Sequence, residues 1–176
     1  MPEGLNTDDP SGRKRSRNLD DRDLAILREL QGNARITNAE LARRVHLSPT
    51  PCLERVKRLE VEGYIDKYVA LLNPKKLNAG QIVFVEVTLD RTSEEGFEAF
   101  AEGIRAIPEV LECHMVAGGF DYLLKIRVSD MDEYRRLLGQ HLVSIPSVAQ
   151  THTYVVMDQV KESFSFPLGD AKEGRS

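Results

Sequence analysis

The first half of the chain carries three apolar patterns at helical spacing, and short polar breaks separate them. The first pattern covers residues 24–30 and follows Asp20, a favourable N-cap residue, so it predicts a helix that begins near residue 20. The second begins with Thr37 and Glu40, which have the spacing of a capping box, and runs only to Val45. Together these signals predict two helices, of which the second is short.

The third pattern has a marked start and a marked stop. Ser48 is a favourable N-cap, Pro49 suits the first helical position, and Gly63 suits the left-handed residue that follows a helix end. Its apolar residues recur at positions i, i+4 and i+7 and form one narrow face: Cys52, Val56 and Leu59. We therefore predict a third helix over residues 48–62, which packs on the first two by that face.

Only His46 and Leu47 separate the second helix from the Ser48 cap, and two helices joined by so short a turn pack at a steep angle. This is the helix-turn-helix arrangement, in which the later helix enters the major groove of DNA. Taken alone, the third helix is equally well explained as a solvated amphipathic helix with charges for solubility. The tight turn before it favours the groove-reading interpretation.

The third helix has side chains suited to such reading. Glu54 can accept a hydrogen bond from a cytosine amino group, and Thr50 can touch a thymine methyl group. The basic residues that follow are better suited to clamp phosphates, which positions a helix without specifying sequence. The predicted DNA-contacting residues are Ser48, Pro49, Thr50, Pro51, Glu54, Arg55, Lys57 and Arg58.

After Gly63, residues 64–72 are rich in β-branched and aromatic types, which predicts one or two short strands that flank the helices as a wing. Asn73 and Pro74 break this pattern, and residues 75–80 are predicted to form a hinge. We therefore expect a winged helix-turn-helix domain at residues 19–74.

The second half alternates strand and helix patterns. Predicted strands cover residues 81–89, 110–116, 122–128 and 148–157, and predicted helices cover residues 93–107 and 131–142. The order βαββαβ is that of a ferredoxin-like α+β sandwich, which we place at residues 81–162 and in which both helices cover one face of the sheet. We expect the other face to expose Phe84 and residues 123–126, and apolar surface of that extent predicts a dimer through the sheets.

Composition changes this picture in one respect. The chain of 176 residues is 41% hydrophobic and 30% charged, which is ordinary for a globular protein. Its net charge of −4 argues against a nucleic-acid partner, but residues 1–79 hold 15 Lys and Arg against 12 Asp and Glu, and residues 80–176 hold 9 against 16. The two parts therefore carry charges of +3 and −7. This asymmetry suggests a basic module joined to an acidic one.

The compartment follows from what the sequence lacks. No apolar run approaches the roughly 18 to 20 residues that span a bilayer, and the polar start of the chain has no apolar core of a secretory signal. We therefore expect a cytoplasmic, nucleoid-associated protein that binds no membrane and keeps Cys52 and Cys113 reduced.

Both ends of the chain are predicted to lie outside the two domains. Residues 1–18 are polar, lack hydrophobic periodicity and are predicted to be disordered, and residues 163–176 are predicted to form a C-terminal tail. The basic cluster at residues 13–17 can reach DNA phosphates, or it can belong to a mobile tail with no specific partner. The sequence leaves both interpretations open.

Four motifs together resemble the Lrp/AsnC family of bacterial and archaeal transcriptional regulators. They are residues 47–58, residues 70–74 (Ala-Leu-Leu-Asn-Pro), residues 118–125 (Gly-Gly-Phe-Asp-Tyr-Leu-Leu-Lys) and residues 153–157 (Thr-Tyr-Val-Val-Met). The resemblance covers residues 18–163 in order and without large gaps. It implies an N-terminal winged helix-turn-helix that binds double-stranded DNA and a C-terminal ligand-sensing domain. It also implies homodimers that assemble to octamers or higher, with the effector bound between dimers.

The resemblance further implies where a small amino acid, leucine foremost, binds. The implied effector-binding residues are Gly118, Gly119, Phe120, Asp121, Tyr122, Met131, Tyr154, Val155 and Val156. Asp121 is suited to a charge-assisted bond with the effector's amino group, although a carboxylate after two glycines also satisfies backbone donors in a tight turn. Met131, Val155 and Val156 can line an apolar pocket or serve as ordinary core residues. Many family members carry Asp, Asn or Glu where this chain has Gly119, so one side-chain contact is missing here.

No pattern in the sequence indicates catalysis or metal binding. The four histidines and two cysteines lack metal-ligand spacing, and neither a glycine-rich phosphate loop nor a paired nucleophile and base is present. We therefore expect no enzyme and no cofactor apart from the amino-acid effector. The main alternative is an amino-acid-sensing subunit that regulates an enzyme through protein contact, and the helix-turn-helix argues against it. A winged helix that acts in DNA repair or binds RNA is a third option.

Overall fold

The computed structural model describes residues 19–90 and 93–169 and divides the chain into two units. Of these residues, 19–70 and 162–169 belong to a helical unit, and 71–161 belong to a sheet unit. The tail predicted at residues 1–18 lies outside the described residues. In the described part, no helix is long and apolar enough to cross a membrane.

The helical unit contains the three predicted helices. They are α1 (Asp21–Gly32), α2 (Asn38–Arg44) and α3 (Pro49–Val61), and each begins directly after its predicted cap. The buried residues that hold them together come from all three helices and from the turn before α3: Ile26, Leu27, Leu41, Ala42, Val45, Cys52 and Leu59. The predicted three-helix core is confirmed.

The caps form by different means. The Asp20 carboxylate accepts a hydrogen bond from the Asp23 backbone N at 2.8 Å, and the Asp23 carboxylate accepts one from the Asp20 backbone N at 3.2 Å, so α1 has a complete capping box. The box predicted for α2 forms only in part, because the Glu40 carboxylate is bonded to Arg43 and Arg44 instead. Gly63 lies just beyond the C-terminal end of α3 and has a left-handed φ of 78°, as its position in the sequence predicts.

The predicted wing strands are absent from the single chain, and this prediction was wrong. Residues 66–73 form no strand, although they run on from Tyr64 and Ile65, which pack on the helical core. Val69, Leu71 and Leu72 are 60%, 64% and 69% exposed. Strand-forming residues need a partner for their backbone N–H and C=O groups, and the described part of a single copy supplies none here.

The C-terminal segment returns to the helical unit, which the sequence did not predict. Gln31 pairs with the backbone of Phe166 in both directions: its Nε2 donates to the carbonyl at 3.3 Å and its Oε1 accepts from the N–H at 2.6 Å. Arg28 donates to the carbonyl oxygens of Leu168 and Gly169 at 3.1 and 2.8 Å. Leu168 packs against the helical core. The described part of the predicted C-terminal tail is therefore docked on α1.

Within the sheet unit, one turn of 3-10 helix, Pro74–Leu77, capped by Asn73, precedes the first strand. Its elements are β1 (Gln81–Leu89), α4 (Glu94–Arg105), β2 (Val110–Met115), β3 (Tyr122–Val128), α5 (Met131–Leu137) and β4 (Val148–Val155). A π-helical turn, Leu138–Leu142, continues α5. The strands form one antiparallel sheet in the order β2-β3-β1-β4, so the predicted ferredoxin-like α+β fold is confirmed.

The core of the sheet unit lies between the sheet and the two helices. In the β1–β3 register Val83 pairs with Ile126 and Val85 with Leu124, and all four side chains are fully buried. The prediction that residues 123–126 all lie on the open face was therefore wrong, because successive side chains of a strand point to opposite faces. Leu123 shares the open face with Phe84, but that face also carries charged residues: Glu86, Glu112, Lys125 and Arg127.

Candidate nucleic-acid interface and effector-binding residues

The turn between α2 and α3 is fixed by polar side chains that the sequence did not single out. Asn38, the first residue of α2, donates from Nδ2 to the carbonyl of Pro49, the first residue of α3, at 2.8 Å. Arg22 of α1 donates from Nη1 to the carbonyl of Val45 at 2.8 Å. His46 makes the turn in the left-handed conformation, with φ 55°. These contacts set the direction in which α3 leaves the turn.

The two faces of α3 differ in character. Cys52 and Leu59 are fully buried and anchor the helix on the core. The residues of the opposite face are exposed and are spaced at positions i, i+3, i+4 and i+7. They are Thr50, Leu53, Glu54 and Lys57, and we call this surface the reading face of α3. Leu53, 42% exposed, was missed by the sequence analysis, and on this face an apolar group can contact a thymine methyl. The face has the length and chemistry of a groove-reading surface.

The first turn of α3 is open to solvent. Ser48, Pro49, Thr50 and Pro51 are all exposed. Ser48 occupies the N-cap position, as predicted, but its side chain makes no capping hydrogen bond. Its hydroxyl is therefore not used by the helix itself and lies beside the partly positive N-terminus, where a phosphate is favoured.

The two arginines of α3 are ion-paired. Arg55 Nη1 lies 2.6 Å from Asp20 Oδ2 and 2.8 Å from Asp23 Oδ1, and Arg58 Nη2 lies 2.6 Å from Asp23 Oδ1. Burial alone raises the pKa of the Asp23 carboxyl, but hydrogen bonds from Arg58 and Arg55 outweigh it and lower that pKa overall. Hydrogen bonds to Asp20 and Asp23 raise the pKa of the Arg55 guanidinium, and the hydrogen bond to Asp23 raises the pKa of the Arg58 guanidinium. The predicted role of these arginines as phosphate clamps stays a prediction.

The cations of α2 are balanced in the same way, whereas Lys57 is not. Arg43 and Arg44 both bond to Glu40 and lower the pKa of its carboxyl to about 2. Arg44 also pairs with Glu29 at 3.0 Å. Lys57 is exposed and forms no ion pair within the described residues. Its predicted role as a phosphate clamp stays a prediction.

Asp121 organises the loop between β2 and β3. Its backbone N donates to the Val87 carbonyl at 3.0 Å, and its carbonyl accepts from the Val116 N–H at 2.9 Å. Its Oδ2 accepts from the backbone N of Leu89 at 2.8 Å. One carboxylate oxygen therefore satisfies a backbone donor, as the turn interpretation predicts. The other oxygen takes part in none of these bonds.

The remaining predicted effector residues of this loop differ in exposure. Gly118 and Gly119 are exposed and Phe120 is half-buried. Tyr122 is only 6% exposed, and its ring centroid lies 4.4 Å from that of Phe100 in the core. Burial raises the pKa of the Tyr122 hydroxyl. Tyr122 thus supports the loop from inside, and its ring lies in the sandwich core.

The predicted residues of β4 lie at the other end of the sheet. Val155 pairs with Val83 near the start of β1, and the Val156 N–H donates to Ile82 at 3.0 Å. Asp121 instead contacts Leu89, the last residue of β1. Val83 and Leu89 are six positions apart on one extended strand, which corresponds to about 20 Å. One chain therefore does not bring the loop and the β4 motif together.

Met131 belongs with the β4 cluster. It follows β3, whose last residue, Val128, pairs with Gln81 at the start of β1. Met131, Tyr154 and Val155 are 38%, 51% and 43% exposed, so they lie at the surface. The effector residues implied by resemblance thus form two groups: a loop group at one end of the sheet and an apolar group at the other.

Other chemistry is sparse in the described residues. No group of three or more His, Cys, Asp or Glu there is arranged to hold a metal ion. Cys52 is buried and Cys113 is exposed, and partial burial raises the pKa of both thiols. Neither thiol has the lowered pKa of a reactive cysteine.

Two known domain families match the two parts of the chain. Residues 19–66 match a winged helix-turn-helix DNA-binding family, and residues 82–166 match the Lrp/AsnC ligand binding domain. The first match contains all three helices of the helical unit, and the second contains the four strands of the sheet except for Gln81, the first residue of β1.

Similar proteins cover most of the chain. The leucine-responsive regulatory protein of Serratia marcescens is 55% identical over 153 residues, which are 86% of this chain and 93% of that protein. Its counterpart in Escherichia coli K12 is 54% identical over 153 residues, 87% of this chain and 93% of that protein. A crystal structure of a Neisseria meningitidis transcriptional regulator in complex with L-Met is 40% identical, with TM-score 0.81, and covers 85% of this chain and 96% of that one. Escherichia coli AsnC is 25% identical, with TM-score 0.78, and covers 85% and 99%.

Proposed function

Because the chain belongs to the Lrp/AsnC family of transcriptional regulators, we propose that it binds operator DNA through α3 and changes that binding when a small amino acid binds. One observation carries the DNA-reading part: the face of Thr50, Leu53, Glu54 and Lys57 is exposed, while Cys52 anchors the opposite face. In this proposal the first turn, from Ser48 to Pro51, and Glu54 contact base edges, and Lys57 contacts a phosphate.

Leucine is the first effector to test. The relatives at 54–55% identity are named leucine-responsive regulatory proteins, and the similar Neisseria protein holds L-Met. Both amino acids carry an unbranched Cβ and an apolar side chain that suits the exposed apolar group at Met131 and Val155. The charged amino group of either one suits the free carboxylate oxygen of Asp121.

We infer that each effector site is built from two copies of the chain. The loop group around Asp121 and the apolar group around Val155 are about 20 Å apart along β1, too far for one leucine to bridge. A second copy that brings its own Val155 beside Asp121 completes the site. The exposed apolar residues of the 66–73 segment provide further surface for assembly, so we propose dimers that join into octamers or larger assemblies.

Selection of genomic fragments tests this function. The purified chain is mixed with random genomic fragments, with leucine, with methionine or with neither, and bound fragments are resolved by gel shift. We expect a subset of fragments to be selected, with an affinity that changes when one of the amino acids is present. Amino-acid binding without any selection of DNA would instead support a sensing subunit that acts on an enzyme by protein contact, in the cytoplasm but away from the nucleoid.

Substitution of Lys57 by Gln is expected to weaken binding to all DNA sequences alike. A lost phosphate contact removes sequence-independent affinity and reduces the magnitude of the slope of log affinity against log salt by about 0.9. Titrations of a selected and an unrelated fragment at several salt concentrations measure both quantities. Lys161→Gln, an equal charge change at an exposed position of the sheet unit, is the control. A slope equal to that of the wild-type chain would remove Lys57 from the interface.

A further inference from the structure

Asp23 is the one charged side chain that the described residues bury, at 1% exposure. A buried charge is costly unless it is paired and hydrogen-bonded, so its partners explain its position. It lies on α1 next to Leu24 in the chain and three residues before Ile26, and both of these neighbours are buried. Asp23 therefore lies at the edge of the core, and its ion partners are on α3.

Two arginines of α3 converge on this carboxylate. Arg55 and Arg58 approach the same oxygen, Asp23 Oδ1, at 2.8 and 2.6 Å, while Oδ2 accepts from the Asp20 backbone N at 3.2 Å. Arg55 also contacts the Asp20 carboxylate at 2.6 Å, and Arg58 approaches Glu62 at 3.8 Å. Both oxygens of Asp23 are thus used, and each arginine has a second carboxylate partner.

The charges of this cluster leave no excess cation for DNA. Arg55 and Arg58 supply two positive charges, and their three carboxylate partners supply three negative ones. The side chains of Arg55 and Arg58 are only 31% and 26% exposed, so they are partly buried. A DNA phosphate would have to displace a carboxylate that already makes charge-assisted hydrogen bonds. Lys57, between them in sequence, forms no ion pair in the part of the chain that the structure describes.

We propose that Asp23 is a positioning residue for DNA reading. Its ion pairs with Arg55 and Arg58 fix the rotation of α3 about its own axis relative to α1. The proposal rests on the DNA-binding function proposed above. Side chains that read base edges must be held to within about 0.5 Å and 10 to 20°, and a helix free to roll about its axis loses that accuracy. Arg55 and Arg58 then hold α3 in position, whereas their positions in the sequence predict that they bind DNA phosphates.

Separate replacement of Arg58 and Lys57 by an uncharged residue shows whether Arg58 holds α3 in place through Asp23 or binds a DNA phosphate. For Arg58→Gln we expect the preference for a selected genomic fragment over an unrelated one to fall on the order of tenfold, with the salt slope unchanged. Lys57→Gln removes one positive charge at the neighbouring position and is the matched comparison. For it we expect the magnitude of the salt slope to fall by about 0.9, while the preference for the selected fragment is unchanged. Fluorescence anisotropy titrations of both fragments at several salt concentrations give the two readouts.

Substitution of Asp23 gives a second readout. Asp23→Asn removes the carboxylate charge that pairs with the two guanidinium groups. We therefore expect tighter binding to the unrelated fragment, and the magnitude of the salt slope should rise by about 0.9 for each arginine that contacts a phosphate. Asp23→Glu keeps the charge and is expected to restore the fragment preference in part. A residue that only stabilised the fold would lower the thermal midpoint and leave the salt slope unchanged. If Asp23→Asn does not fold, the comparison of Arg58 with Lys57 decides the matter.

One result would overturn the proposal: Arg58→Gln lowers the salt slope as much as Lys57→Gln does and keeps the fragment preference. Arg58 would then be a phosphate clamp. Failure of the underlying function looks different, because the wild-type chain would itself select no fragment before any residue is changed.

Discussion

Replacement of Asp121 by Asn is expected to abolish the effect of leucine on DNA binding while the affinity for DNA stays that of the wild-type chain. Asn retains an oxygen that can accept from the Leu89 N–H, the bond that Asp121 Oδ2 makes at 2.8 Å, so the loop keeps its conformation. It loses the negative charge that we propose binds the effector's ammonium group. A hydrogen bond to a charged group contributes about 1.5–3 kcal/mol, so leucine affinity should fall roughly 10- to 150-fold.

The matched control is Asp132→Asn, the same change at a residue that is 73% exposed and paired with Arg135 at the surface. Calorimetric titration with leucine measures the effector affinity, and gel shift with and without leucine measures the response. Asp121→Ala, which removes the bond to Leu89 as well, separates the turn role from the charge role. An Asp121→Asn chain that responds to leucine like the wild type would assign Asp121 to the turn alone.

Glu54→Gln is expected to change which bases the chain prefers at the pair that this side chain contacts. Glu accepts from the amino group of cytosine, whereas Gln can bond to both N6 and N7 of adenine. Each such contact discriminates by about 1–3 kcal/mol, so the preference at that pair should shift by roughly 5- to 150-fold. Glu54 is exposed on the reading face of α3, so the change does not disturb the core.

Binding to a library of single-base variants of a selected fragment measures this shift. Glu98→Gln, the same change on the exposed side of α4, controls for the altered net charge. Because the lost negative charge also strengthens binding to every sequence, the ratio between variants is the informative quantity. An unchanged ratio at every position would exclude Glu54 from base reading.

Features with local causes could be predicted from the sequence. Asp20 and Thr37 begin their helices because a cap acts on backbone groups within one turn, and Ser48 marks the start of α3 by its position before Pro49. The alternation of residues 81–89 predicts β1 because side chains of a strand point to opposite faces. These local signals were sufficient for the helix-turn-helix and for the order of elements in the sheet unit.

Features with distant causes could not be predicted. Arg55 looks like a free cation in sequence, but its partner Asp23 lies 32 residues earlier. Leu168 joins the helical core from the far end of the chain, and its docking residue Arg28 lies 140 residues away from it. Residues 64–72 have strand character, but a strand needs a pairing partner, and among residues 19–90 and 93–169 they pair with none. The spacing of apolar residues in the sequence identifies a helix or a strand, but it does not show which distant residues that helix or strand contacts.

The separation of Asp121 from Val155 within one sheet leads to the most direct test of a shared effector site. Val155→Gln alters an exposed position of the apolar group, and we expect it to abolish the leucine response, as Asp121→Asn does. Each single variant keeps intact the half of the site that the other lacks. If the halves come from different copies, co-expressed variants form some sites with both halves intact, about a quarter of them for random mixing.

The decisive measurement is the leucine dependence of DNA binding by assemblies co-expressed from Asp121→Asn and Val155→Gln chains. We expect these mixed assemblies to regain part of the leucine response that both single variants have lost. Mixed assemblies that stay as unresponsive as their parents, although they bind DNA and contain both chains, would contradict it.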